Sequence, residues 1–320
     1  MTQSGRGRRL AVVAAALIDG EGRVLIAQRP KGHHHAGLWE FPGGKREAAE
    51  SPVQALAREL REELGIKLED AAPLIRVPFD LGSRAIVLDA YQVTGFHGQP
   101  QAHEHQALRW VAPDELKLYS MPGADRPVAA ALYLPDRIAV TPAELTDPAL
   151  ITAGVQALLA QGFGLIQLRC PGLSQTVQRE LAAGLLPAFQ RQAAKLLLNG
   201  DIEGAERLGC SLHLRSQQLQ QIGQRPRLAA GQSLSAACHH RADLDRAESL
   251  HADFAVLGSV NPTASHPGRP ALGWAGFAEL RALSSLPIYA IGGLAAGQIG
   301  EARRQGAQGV AAIRAFWPVR

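Results

Sequence analysis

The sequence predicts an α/β chain of two domains, residues 1–135 and residues 136–320. Three observations carry this reading. The length of 320 residues exceeds the usual ~100–200 residues of a single domain. Residues 10–134 mix short strand-like runs with one well-marked helix. From Arg137 onward short apolar runs alternate with longer Ala/Leu/Gln/Arg-rich stretches, the rhythm of parallel β/α architecture. A hydrophobic fraction of 46% and a charged fraction of 19% exclude a chain disordered throughout.

At the N-terminus Arg6, Arg8 and Arg9 precede an apolar run over residues 10–18, which superficially resembles a secretory leader. The run is too short to span a bilayer. It passes at once into Asp19-Gly20-Glu21-Gly22 and a second strand-like run over 23–29, so the spacing predicts a β-hairpin. No other stretch approaches ~18 uninterrupted apolar residues, and no membrane span is expected. With 33 basic against 29 acidic residues, the net charge of +4 is a weak bias. It fits anionic small molecules without establishing a nucleic-acid groove. Cys170, Cys210 and Cys238 are far apart, odd in number and without zinc spacing, which points to a reducing cytoplasm.

The strongest local signal is a helix opening at Ser51-Pro52-Val53-Gln54. Ser51 caps it, Pro52 suits its first turn and Gln54 completes a capping box. Gly65 supplies the stop. Glu59, Glu62 and Glu63 stand at i, i+3 and i+4, so all three carboxylates share one face. Like charges so placed cost roughly 0.2–0.5 kcal/mol per pair. Arg58 and Arg61 soften that cost and would make this an ordinary solvated face. A site for a hard cation explains the clustering better, because Mg²⁺ takes carboxylates together with substrate phosphates. Gly43-Gly44 just upstream lets backbone approach such a group closely.

The stretch Gly44-x5-Glu50-x7-Arg58-Glu59-Leu60-x-Glu62-Glu63-x-Gly65-Ile66 resembles the complete Nudix box. Gln28-Arg29, Leu38-Trp39-Glu40-Phe41-Pro42-Gly43-Gly44, Gly98-Gln99-Pro100, His103-Glu104 and Leu108-Arg109-Trp110 extend the likeness to the MutT branch, the 8-oxo-dGTP diphosphatases. The resemblance implies an α/β/α fold with a mixed sheet. It also implies Mg²⁺ or Mn²⁺ as cofactor and hydrolysis of a nucleoside triphosphate to monophosphate and pyrophosphate. By position it assigns metal to Gly43, Glu59, Glu62, Glu63 and Glu104, with Glu59 activating water and Arg58 orienting the glutamates. Arg29, Phe41, Arg84 and Asp125 are assigned to the substrate. Metal chemistry fits such a substrate, because a divalent cation neutralises the charge that repels a nucleophile and acidifies water. His33-His34-His35 is read as a loop at the pocket mouth rather than a transition-metal site.

One departure concerns the base. The MutT branch reads oxidised guanine with an asparagine in Pro-x-Ala-Asn-x-Pro, and here the stretch is Pro122-Gly123-Ala124-Asp125-Arg126-Pro127. An ionised aspartate only accepts, whereas asparagine also donates. Asp125 can accept from N7–H of 8-oxoguanine, and donates to O6 only when protonated. The expected preference is still 8-oxo-dGTP.

In the second half, strand-like runs fall at 137–141, 164–169, 195–199, 211–214, 228–231, 254–258, 287–292 and 309–313. Eight runs favour a closed (β/α)8 barrel. Residues 136–320 fall short of the ~200–250 typical of such barrels, so some helices must be trimmed or missing. Gln167-Leu168-Arg169, Leu198-Asn199, Leu212-His213-Leu214, Gly258-Ser259-Val260-Asn261-Pro262-Thr263 and Ile291-Gly292-Gly293, in that order, resemble the thiamin-phosphate synthase and TenI family. That resemblance implies a TIM-barrel fold and a phosphate site at Gly292, Gly293 and Arg314. It also exposes losses. The family's metal-binding aspartate after Asn199 is Gly200. The acid expected beyond His213 is missing from Arg215-Ser216-Gln217-Gln218, and the lysine after Thr263 is replaced around Ser265-His266.

The leading expectation is therefore a cytoplasmic, Mg²⁺-dependent Nudix pyrophosphatase that sanitises oxidised purine nucleotides in the service of replication fidelity. Its barrel would lack synthase activity. One alternative is a bifunctional thiamin-pathway protein; another makes the barrel a regulatory binding module. A phosphorylated small molecule is the expected barrel ligand, with no duplex nucleic acid and no membrane as partner.

Overall fold

In the computed structural model the chain divides into two units, Met1–Leu134 and Pro135–Arg320. The structure describes residues 10–30, 32, 36–80, 85–104, 107–263 and 270–318.

The first unit opens with β1 (Leu10–Leu17), β2 (Val24–Gln28) and β3 (Trp39–Glu40), followed by α1 (Pro52–Leu64). The long strands β4 (Lys67–Asp80) and β5 (Ala85–His97) come next. Then follow β6 (Ala107–Val111), a 3-10 segment over Pro113–Leu118 and α2 (Asp125–Tyr133). One sheet is mixed, in the order β1-β5-β4, with β1 parallel and β4 antiparallel to β5. The other, β3-β2-β6, is antiparallel.

The hairpin expected around Asp19 is corrected. Asp19 does close a turn, its Oδ1 accepting from the N–H groups of Glu21 at 3.0 Å and Arg23 at 2.9 Å. Only Ile18 and Val24 bridge across it, and the two strands then leave for different sheets. The buried run from Val13 to Leu17 needs partners on both edges, and both come from afar in the sequence. β5 pairs with one edge, and the carbonyls of Gly44 and Pro42 accept from Val13 and Ala15 at 2.9 and 2.8 Å on the other.

Side chains of β1 alternate between two cores, as a period of two requires. Val13, Ala15 and Leu17 pack with Leu56, Leu60 and Leu64 of α1. Ala14 and Ala16 pack on the opposite face with Val128 of α2. Each fully buried leucine of α1 contributes about 1.5–3 kcal/mol, so the helix is clamped to the sheet along one stripe. Its ends are fixed as the sequence predicts. Gln54 N–H donates to Ser51 Oγ at 3.3 Å, Ser51 N–H to Gln54 Oε1 at 2.8 Å, and Gly65 takes the left-handed conformation at φ 69°.

The second unit runs β7 (Arg137–Val140), α3 (Pro148–Ala160), β8 (Leu165–Leu168), α4 (Gln175–Arg191) and β9 (Lys195–Asn199). It continues through α5 (Ile202–Leu208), β10 (Ser211–Leu214), α6 (Ser216–Gln221), β11 (Leu234–Cys238) and α7 (Arg241–Ser249). It ends with β12 (Phe254–Gly258), α8 (Gly273–Arg281), β13 (Ile288–Ile291), α9 (Ile299–Arg304) and β14 (Gly309–Ala312). All eight strands are parallel and close into a barrel, β14 sealing against β7 at Val310 and Arg137. The shortening is real: α5 has 7 residues, α6 has 6 and α9 has 6.

One strand lies elsewhere than the sequence predicts. Residues 228–231 form no strand, and the fifth barrel strand is β11. Gly231 adopts φ 82° in the connecting loop. The true strand, Leu-Ser-Ala-Ala-Cys, carries small side chains that give little hydrophobic contrast, and its neighbours in the ring supply the burial. The three cysteines are free and buried. Among the described residues no helix is long and apolar enough to cross a membrane.

Candidate active site

α1 presents its glutamates toward the turn that links β3 to the helix. Glu63, 9% exposed, accepts from Gly43 N–H at 2.9 Å through Oε2. Glu59 lies against Gly44: a Cβ built there would stand 2.4 Å from Glu59 Oε1. Glu62 is half exposed. Arg58 joins the set. Its Nε donates to Glu50 Oε1 at 2.8 Å, and its Nη1 to Glu59 Oε1 at 2.9 Å and Glu62 Oε2 at 3.0 Å. Its Nη2 donates to Glu50 Oε2 at 3.1 Å and to the Lys45 carbonyl at 3.0 Å. These contacts raise the arginine further above its ordinary range. Burial pushes the Glu59 carboxyl up, against the opposing pull of Arg58.

Among the described residues no group of three acidic, His or Cys side chains already converges on one metal position. Arg58 draws Glu59 and Glu62 toward itself, while Glu63 is turned to Gly43. The donor set still suits a hard cation. It consists of carboxylate oxygens together with the Gly43 carbonyl, which accepts no hydrogen bond among the described residues. The pressing of Glu59 onto Gly44 is testable. Gly44→Ala displaces only the mobile end of a side chain, so the melting temperature stays within about 2 °C while kcat falls at least about tenfold. Thermal unfolding and steady-state kinetics on the same preparation check both halves.

The loop carrying Glu104 reaches the C-terminal end of α1. Gln101 N–H donates to the Leu64 carbonyl at 3.0 Å and His103 N–H to that of Glu63 at 3.1 Å. Glu104 itself is exposed.

A second cluster forms where α2 begins. Asp125, 8% exposed, accepts from Phe41 N–H at 3.1 Å through Oδ1. Burial pushes its carboxyl up to about 7, with the Phe41 N–H working the other way. Glu40 adds to the rise and Arg29 opposes it, and Arg29 and Glu40 form an ion pair with each other. Phe41 therefore reaches Asp125 through its backbone, since its ring is 3% exposed and sits in the core. Arg84, His33-His34-His35 and Ser265-His266 lie outside the described residues.

In the second unit the C-terminal ends of the strands open into a cavity of about 690 Å³. Gly292, Gly293 and Arg314 line it. Arg314 Nε stands 3.7 Å from Glu144 Oε1. Gln167 donates to Asn199 Oδ1 at 3.0 Å. Burial, assisted by the charge of Arg169, depresses His213 to about 4, so its ring is neutral and bonds Ser235 Oγ at 2.9 Å. Arg169, Arg215 and His239 also line the cavity and escape the sequence reading as site residues. His239 directly follows β11, its Nδ1 2.7 Å from the Gly258 carbonyl. With the fifth strand at Leu234–Cys238 and not at 228–231, Cys238-His239 stands at a strand's C-terminal end.

A carboxylate-bearing helix on a mixed sheet and a parallel eight-stranded barrel with a cationic mouth define a two-unit α/β chain. Comparison with known proteins gives both units a family. Residues 13–131 match the NUDIX domain and residues 138–316 match thiamine monophosphate synthase, and the chain belongs to both families. It is 47% identical over 123 residues to the CTP pyrophosphohydrolase of Escherichia coli K12, spanning 38% of this chain and 91% of that protein. It is 45% identical over 87 residues to the 8-oxo-dGTP diphosphatase of Proteus vulgaris, 27% of this chain and 78% of that protein. Its barrel is 33% identical over 181 residues to the thiamine-phosphate synthase of Methylobacillus flagellatus, 56% of this chain and 86% of that protein.

Proposed function

We propose that the first unit hydrolyses nucleoside triphosphates to monophosphate and pyrophosphate, with Mg²⁺, or Mn²⁺ in its place, as cofactor. The observation that carries this reading is the set of three carboxylates on one face of α1, with Glu63 tied to Gly43 and Glu59 seated on Gly44. Glu59, Glu62, Glu63, the Gly43 carbonyl and Glu104 would hold the cation. When bound, it neutralises polyphosphate charge and acidifies water. Glu59 would take the proton from the attacking water, the role of a carboxylate held beside the reacting centre. Arg58 fixes the rotamers of Glu59 and Glu62, and Glu63 holds the turn at Gly43. Arg29 would sit near the substrate.

The base reader in this proposal is Asp125. With its carboxyl near 7 it is partly protonated at neutral pH. In that form it both donates and accepts, which suits 8-oxo-dGTP and a role in cleansing the cytoplasmic nucleotide pool for replication. A second reading has support from the ionised form, which accepts only and suits the amino group of cytosine. The relative named CTP pyrophosphohydrolase favours the same reading. Values of kcat/KM for 8-oxo-dGTP, dGTP and CTP on the full chain separate the two. The first reading predicts 8-oxo-dGTP foremost, and equal efficiency on dGTP and 8-oxo-dGTP contradicts it. For the second unit, Gly200 and Gln218 in place of acids support a barrel without synthase activity.

A further inference from the structure

A synthase of the second unit's family would place a divalent cation beside residue 200, and the residues found there do not fit one. Gly200 follows β9 at φ 73°. A Cβ built on it would stand 2.4 Å from Arg215 Nε, 2.9 Å from Arg215 Cζ and 2.8 Å from Gln218 Oε1. The guanidinium of Arg215 thus fills the room that a carboxylate on residue 200 would use. Gln218 locks it there, with Oε1 accepting from Arg215 Nε at 3.1 Å and Nε2 donating to the Gly200 carbonyl at 2.7 Å. The adjacent Asp201 is turned to Arg179, at 2.6 Å, so among the described residues no carboxylate meets this point, and a hard cation would also face a fixed positive charge.

We propose that the barrel mouth is a metal-independent site for a small molecule carrying a phosphate or diphosphate group, with the Arg215 guanidinium in the place of the cation. Arg169 follows β8, Gly200 follows β9 and Arg215 follows β10, and these three strands are adjacent in the ring. Among the described residues no carboxylate pairs with either guanidinium. Only Nε of Arg215 is engaged by Gln218, so its two terminal nitrogens keep their donors for an anion. Arg169 is anchored through its backbone N–H on Thr141 Oγ1 at 2.7 Å. Thr263 Oγ1, on the same cavity, is buried with no partner among the described residues. Across the ring, four strands from β10, β14 leads to Arg314. Val256, Ile291 and Ile313 supply apolar wall for the body of the ligand.

The test is calorimetric titration of the full chain, in chelator, with inorganic pyrophosphate and separately with orthophosphate. Saturable binding of either is expected, and the better of the two tells whether a diphosphate or a single phosphate is held. Arg215→Gln should weaken it at least about tenfold, the scale of a charge-assisted hydrogen bond. Arg215→Lys, which keeps the charge, should recover part of the loss. Absence of binding in chelator overturns the proposal. So does binding that Arg215→Gln leaves unchanged, with folding verified by circular dichroism. Chelator silences the hydrolysis proposed for the first unit, so the two proposals fail separately.

Discussion

Glu59→Gln lowers kcat for nucleotide hydrolysis by about 10²–10⁴ with the fold intact, the range expected when a general base is removed. Glu63→Gln and Glu62→Gln bring turnover to a similarly low level, by removing oxygens that the cation and the turn at Gly43 rely on. The fold survives each change for a local reason. A glutamine at position 63 still offers an acceptor to Gly43 N–H. The apolar stripe of Leu56, Leu60 and Leu64 holds α1 on the sheet without help from the carboxylates. At position 59 the substitution also relieves like-charge crowding with Glu62 and Glu63, both of which push the Glu59 carboxyl up. Stability should therefore hold or rise slightly while catalysis collapses. Circular dichroism, thermal unfolding and single-turnover kinetics of each variant check the three parts. Near-normal turnover by pure Glu63→Gln protein would remove the catalytic assignment.

Asp125→Asn changes how the stability of the first unit depends on pH. The folded carboxyl titrates at about 7, against about 3.9 in an unfolded chain. The folded state therefore holds a proton that the unfolded state has lost across that interval. The stabilisation is fully present below about pH 4 and is lost as pH rises through about 7, at most about 4 kcal/mol in all. Asparagine has no such titration and still accepts from Phe41 N–H. The variant should gain on the parent from about pH 4 to about pH 7 and level off above it. Hydrogen exchange resolved on β1 and β5 reads the first unit separately within the full chain. Parallel pH profiles for parent and variant would contradict this account of Asp125. The same substitution should tighten 8-oxo-dGTP, because asparagine donates and accepts at every pH.

The parts of the molecule legible in sequence were those settled by local chemistry. Ser51, Pro52, Gln54 and Gly65 mark both ends of α1 because caps act over one turn. The shared face of Glu59, Glu62 and Glu63 follows from helical geometry alone. What escaped was decided over long range. The turn at Asp19 forms, but which strands pair is settled by β5 and β6, far along the chain. The fifth barrel strand is hidden because Ser235, Ala236 and Ala237 resemble loop composition until β10 and β12 flank them. The bond between Phe41 and Asp125 joins residues 84 apart. The seat of Arg215 beside Gly200 exists only once β9 and β10 lie side by side.

In the proposed reaction, carboxylates of α1 serve a cation-assisted attack on a nucleoside triphosphate. Product analysis of the purified full chain acting on 8-oxo-dGTP, with Mg²⁺ and then with excess chelator, tests it most directly. Nucleoside monophosphate and pyrophosphate are expected in the first case and no turnover in the second. Release of orthophosphate alone, or a rate that chelator leaves untouched, would contradict it.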